Sequence, residues 1–215
     1  MSKKKLLTVA IALTLAALIG LGSLAFFNDS KSVTNKFYTT KSTDPTPNEI
    51  FSIKLEETAL DGTKTSDGVT YEKILPGSVL LKDPTVTNTG LYDQWVRVDV
   101  TVDKAATWKT IIPDGTDLST IFGGFDSSKW TLAGKSESGD TVTYSYYLNE
   151  KLVAADADAG VTAGSATLFT SVTIPTSITV DQMVALNGFT ITITAAAVQA
   201  DNNGSSPAEA QGWPA

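Results

Sequence analysis

Most catalytic chemistry needs side chains that this chain lacks. Its 215 residues include no histidine and no cysteine. That removes the imidazole base, the imidazole and thiolate ligands of zinc, the thiol nucleophile and any Ser-His-Asp arrangement. Serine, threonine and lysine are present, but in neither a Gly-x-Ser-x-Gly elbow nor a supported Ser-x-x-Lys context. An all-carboxylate cation site is the remaining option, and its best material is Asp156 and Asp158 in "ADADAG". The spacing lacks the further oxygen ligands of a calcium loop, so the stretch reads as a solvated acidic turn. The sequence therefore assigns no catalytic residue, no metal ligand and no cofactor.

The chemistry the chain does advertise is a cut. Lys3, Lys4 and Lys5 precede an uncharged, mostly apolar run from Leu6 to Gly22, and Ser23-Leu24-Ala25 follows. Small residues at −3 and −1 behind a Lys-headed apolar run are what a signal peptidase reads. Gly20, Gly22 and Ser23 break the apolar helix just before the site. Ser23, Ala25 and Phe26 are thus the cleavage residues, and residues 1–25 a signal peptide. Membrane contact is expected only through this segment, before cleavage. Loss of three lysines takes the net charge from −7 to −10. An acidic chain of this kind suits solubility outside the cell and argues against nucleic-acid binding, which needs a basic face.

The rest of the chain must position whatever the new end does. Residues 26–38 carry spaced apolar anchors, Phe27, Val33 and Phe37, without a helical period. Residues 39–48 form a Thr/Pro-rich connector, kept out of a sheet interior by Pro45 and Pro47. From residue 49 a strand pattern begins. "IFSIKLEET" alternates, "LDGTKTSDGVTY" carries two Asp-Gly turn signals, and Pro76-Gly77 marks another turn. "WVRVDVTVD" is the clearest strand, with Val96, Val98, Val100 and Val102 on one face and Trp95, Arg97, Asp99 and Thr101 on the other. "DTVTYSYYL", "TLFTSVTIP" and "FTITITAAAVQA" are further strands. "TVDQMVALNG" is one short helix, capped by Thr179 or Asp181 and closed by Gly188. Residues 104–139 read as loops and turns packed by aromatics, and residues 201–215 as a flexible tail apart from Trp213.

About seven strands, most of them alternating, with short helices, describe an all-β antiparallel sandwich over residues 49–200. Jelly-roll and immunoglobulin-like topologies are not separable by strand count alone.

Three blocks in order carry a resemblance: "LAFFNDSKSVTNKF", "LPGSVLLKDPTVTNTG" and "ITITAAAVQADN". Together with the signal segment they resemble the camelysin/TasA family, secreted Gram-positive proteins processed by a SipW-type signal peptidase. Ala25-Phe26-Phe27-Asn28-Asp29 matches that family's junction, while residues 104–164 match nothing in it. The resemblance implies a jelly-roll subunit of extracellular biofilm matrix fibres. It implies a head-to-tail homopolymer in which the freed N-terminal segment, with Phe27, Val33 and Phe37, acts as donor strand for the next copy. Other matrix proteins are further partners under this reading. A non-polymerising matrix accessory or adhesion module is the alternative. The family also includes proteins described as metalloproteases, a function that sits poorly with a chain lacking histidine.

Cleavage after Ala25 has a direct readout. N-terminal sequencing of the extracellular form is expected to give Phe-Phe-Asn-Asp, and Ala25→Phe to leave precursor in the membrane. A secreted form that retains Lys3–Lys5 would contradict the assignment.

Overall fold

The computed structural model describes residues 50–58, 61–65, 68–112 and 117–214. They carry twelve strands: β1 (Ile53–Glu56), β2 (Thr63–Thr65), β3 (Gly68–Thr70), β4 (Val79–Leu81), β5 (Thr85–Asn88), β6 (Gln94–Asp103), β7 (Phe122–Gly123), β8 (Trp130–Ser138), β9 (Thr141–Leu148), β10 (Ser165–Thr167), β11 (Ser171–Thr173) and β12 (Ile191–Gln199). Two short helices, α1 (Ala105–Ile111) and α2 (Val180–Leu186), accompany them. The protein is an all-β antiparallel sandwich.

One layer is the four-stranded sheet β12-β6-β9-β8. The other is built from two three-stranded sheets, β1-β5-β10 and β4-β11-β7. These two join at a kink where β4 runs into β5 and β10 runs into β11. There Lys82 N–H donates to the Thr170 carbonyl (3.2 Å), and Leu168 N–H to that of Pro84 (3.0 Å). Pro84 has no N–H to give, which suits a break in the ladder. "TLFTSVTIP" is therefore not one strand. Leu168 and Phe169, both buried, turn it from one sheet into the next.

The core lies between the layers. Val96, Val98, Val100 and Val102 of β6 are wholly buried, as the alternation predicts. Beside them β9 contributes Val142, Tyr144, Tyr146 and Leu148. The facing layer adds Val86, Phe122, Leu168, Phe169, Val172 and Ile174. Phe122 stacks on Phe169 (4.8 Å between centroids) and meets Tyr144 edge-on. Each fully buried valine or leucine side chain stabilises the fold by about 1.5–3 kcal/mol. Trp130 also links the layers by donating its indole N–H to the Thr167 carbonyl (2.9 Å).

Residues 104–139, expected as loops, instead contain α1 and β8. α1 closes the core with Ala105, Trp108 and Ile111 on one face. Asp140 holds its start, accepting the Ala105 N–H on its backbone carbonyl (3.0 Å) and the Ala106 N–H on its carboxylate (2.8 Å). β8 is an edge strand exposed along nearly its whole length, so it carries no apolar alternation to be read. α2 is as expected: Thr179 and Gln182 form a capping box, and Gly188 follows with φ 73°. Lys104 reaches from the base of α1 to the Ala185 and Asn187 carbonyls at the far end of α2 (3.0 and 2.5 Å). A cation there complements the helix dipole.

The expected flexible tail folds back on the outer face of β6. Ala200 and Ala210 bury Trp95, which explains how an aromatic stands on the wet side of that strand. Trp213 packs against Tyr147 (5.4 Å) and under the Arg97 guanidinium (5.6 Å), and Arg97 donates to the Pro214 carbonyl (3.0 Å).

Trp108 tests the role of α1. Trp108→Ala is expected to lower the unfolding free energy in urea by about 3–5 kcal/mol through the cavity it leaves. The indole N–H of Trp108 has no partner, so Trp108→Phe is expected to cost well under half of that.

Candidate functional site

The polar block "TVTNTG" builds a buried knot at the β5–β6 connection. Asn88 and Gln94 are each 1 % exposed. The Asn88 amide donates to the carbonyls of Tyr92 and Leu152 (both 2.9 Å). Its oxygen accepts from Gly90 N–H (2.9 Å) and from the Gln94 amide (2.6 Å). The Gln94 amide also donates to the Ser52 carbonyl (3.0 Å), which receives the N–H groups of Thr89 and Gly90 as well. Every arm of the Asn88 amide is thus matched, as burial demands. Gly90 is forced by crowding: a Cβ there would lie 2.7 Å from the Ile50 carbonyl and 2.9 Å from the Gln94 amide nitrogen. The sequence quoted this block without revealing its role. An asparagine on a buried position of an alternating strand was the available signal.

The knot fixes the start of β1, and β1 forms one wall of a cleft of about 1130 Å³. Its floor is Leu80 of β4, Val172 of β11, Ile174 just after it, and Met183 of α2. Its walls are runs of consecutive residues: 55–57 along β1, 68–74 along the β2–β3 hairpin and 186–193 into β12. Consecutive strand residues alternate faces. A run that lines one cleft therefore presents its edge to the cleft, not a face. β1 and β12 stand at the ends of their sheets, with no further strand paired beyond them among the described residues.

The direction of the β12 edge follows from its ladder. Asp103 N–H donates to the Thr190 carbonyl and Ala200 N–H to that of Asp93. Even-numbered residues of β12 therefore face β6, and the backbone groups of Ile191, Ile193 and Ala195 point outward. Ile191 and Ile193 also half-bury their side chains against the core. The arrangement offers backbone donors and acceptors beside an apolar floor, which is what an extended peptide needs.

Asp156 is occupied by its own turn. Its carboxylate accepts the N–H groups of Asp158 (3.0 Å) and Ala159 (3.2 Å), and its backbone pairs with Val161. Among the described residues no group of three or more acidic side chains could hold a metal ion, and no helix is long and apolar enough to cross a membrane. The residues singled out at the N-terminus, Ser23, Ala25, Phe26, Phe27, Val33 and Phe37, lie outside the described residues. Sequence reasoning supplied that segment but missed the cleft, because its walls are brought together from three distant parts of the chain.

Comparison of the chain with protein-family models, with curated proteins and with solved structures finds no match.

The knot makes a sharp stability test. Asn88→Ala strands several buried groups, and Asn88→Asp turns a carboxylate toward two carbonyls. Each is expected to lower the unfolding free energy by about 2–4 kcal/mol. Thr87→Ala next door, on a half-buried position, is expected to cost about 0.5–1 kcal/mol. Equal effects at 87 and 88 in urea titrations would remove the knot from its central place.

Proposed function

We propose that this chain is a secreted structural subunit of extracellular fibres, assembling head to tail by strand addition. In this reading the segment freed by cleavage, residues 26–37, enters the cleft of the next copy and residues 39–48 link the two. The jelly-roll arrangement and the camelysin/TasA-type role remain part of this proposal, resting on the sequence resemblance.

One observation carries the reading: a cleft with an apolar floor met edge-on by two end strands; the segment that the proposed cleavage frees supplies spaced apolar anchors to meet it. Main-chain hydrogen bonds would supply affinity, and alternate side chains register. Phe27, Val33 and Phe37 are odd-numbered and share one face of a straight strand, suited to the floor of Leu80, Val172 and Ile174. Asp29 and Lys31 fall on that same face, so the strand needs a bend or bulge near Ser30. Burial of two phenylalanines and a valine contributes on the order of 5 kcal/mol before the cost of ordering the segment. A head-to-tail contact that does not close on itself gives a filament.

Deletion of Phe26–Phe37 is expected to leave a folded monomer with an unchanged β-type circular dichroism spectrum and no fibres by negative-stain microscopy. Fibres at the wild-type rate would rule out donor-strand addition. Unfolding would mean that the segment pairs within its own copy, and would favour a monomeric matrix or adhesion module.

A further inference from the structure

β4 has an edge too, and it is guarded differently. Ile174 N–H donates to the Ser78 carbonyl and Lys82 N–H to that of Thr170. Even-numbered residues of β4 therefore face β11, and the backbone groups of Val79 and Leu81 point away from it. No strand pairs with β4 on that side among the described residues. Two side chains take a strand's place. Leu81 N–H donates to the Asp61 carboxylate (3.0 Å), and the Tyr71 hydroxyl donates to the Leu81 carbonyl (2.5 Å).

Both side chains belong to the arms of the β2–β3 hairpin, whose strands pair with each other alone. A two-stranded ribbon has little stability of its own, so these contacts matter to its position. Its root is held separately. Thr58 N–H and hydroxyl donate to the Asp83 carboxylate (2.6 and 2.7 Å), and Lys82 pairs with Glu57. The ribbon can therefore lift from Leu81 while the root stays attached. Burial, with the nearby carboxylates of Glu57, Asp61 and Asp83, pushes the Tyr71 phenol up to about 12, so it remains a donor at ordinary pH.

We propose that Asp61 and Tyr71 guard a latent self-pairing edge, and that β4, once unguarded, pairs antiparallel with β4 of a second copy of this chain. The register follows from the directions of the backbone groups. Val79 of one copy faces Leu81 of the other and the reverse, each pair exchanging two hydrogen bonds, with the two Leu80 residues at the two-fold axis. Val79 and Leu81 are 54 % and 43 % exposed and share one face, so in this register they cover each other across the interface. Ser78 to Leu81 carry no charge, and Lys82 is neutralised by Glu57. No like charges therefore oppose the pairing of two identical strands. Edge strands left open invite this kind of association, and proteins commonly cover them. The β4 edge shares Leu80 and Tyr71 with the lining of the β1/β12 cleft, but its pairing engages the outward backbone groups of Val79 and Leu81 and does not require residues 26–37 to act as a donor strand.

The test compares the full mature chain with its Asp61→Ala/Tyr71→Phe variant by amide hydrogen exchange and sedimentation velocity across a concentration series kept below the onset of fibre formation. In dilute solution the variant is expected to exchange the Leu81 amide on the order of tenfold faster than wild type. At high concentration its protection returns as dimer appears, while wild-type Leu81 exchange stays independent of concentration. Adding Val79→Lys is expected to abolish the dimer and leave Leu81 fast at every concentration. Wild-type exchange at Leu81 in the double variant, or fast exchange with no dimer at any concentration, overturns the proposal. If the double change also speeds exchange at Val98 and Val100, showing a loosened sandwich, Asp61→Ala alone, which removes the acceptor of the Leu81 N–H, replaces it and is judged by the same outcomes.

Discussion

The pairing of two buried amides, Asn88 with Gln94, is the constraint on which the rest of the architecture depends. A side-chain amide removed from water must satisfy its donors and acceptor or destabilise the fold by about 1–3 kcal/mol per unmatched group. Here that demand gathers four backbone segments around one point: the approach to β1 at Ser52, the turn at Gly90, Tyr92, and the segment at Leu152. Gly90 is required because Ile50 and Ser52 approach its backbone too closely for a side chain. The knot thereby joins the β1-β5-β10 sheet to the start of β6 in the other layer. It fixes where β1 begins, and so where one wall of the cleft stands.

The two layers meet through a well-filled core, and on the β1 and β12 side no backbone pairing joins them among the described residues. The cleft is the result: an apolar floor between strands whose outer backbone groups face solvent. The contrast with β4 is informative. Its outer edge is occupied by a carboxylate and a phenol from a neighbouring ribbon, whereas β1 and β12 line an open space. Of these three edges, one is covered and two line the cleft. Under the proposed function, that division lets one strand be accepted while others are refused.

Much of the sandwich was legible because its signals are local. β6 announces itself with four valines at every second position, β9 with alternating Val, Tyr and Leu, and α2 with a Thr-x-x-Gln capping box and a closing glycine. What was missed lacks such signals. Beyond Trp130, β8 is exposed on both faces, so no hydrophobic period marks it. α1 contributes only Ala105, Trp108 and Ile111 to the core, too few for a periodic stripe to stand out among threonines and lysines. "TLFTSVTIP" reads as one strand stopped by a proline, yet Pro84 and the buried pair Leu168-Phe169 divide it between two sheets. The tail looks polar and mobile in sequence; its few apolar residues are placed to cover Trp95 and to stack on Tyr147. The acceptor side of the candidate site was illegible because residues near 55, 72 and 190 become neighbours only through the fold. The proposed donor segment rests on consecutive sequence signals alone, an apolar run with a small-residue junction and spaced anchors, and lies outside the described residues.

The central claim is that the outer edge of β12 receives a strand when copies assemble. Amide hydrogen exchange at Ile191 and Ile193, compared between monomer and assembled material, addresses it most directly. Their N–H groups point into the cleft and away from β6, so they report on that edge and on nothing inside the sheet. The account predicts that both amides exchange rapidly in the monomer and become strongly protected in the assembled state. Assembly that leaves Ile191 and Ile193 exchanging as they do in the monomer would contradict it.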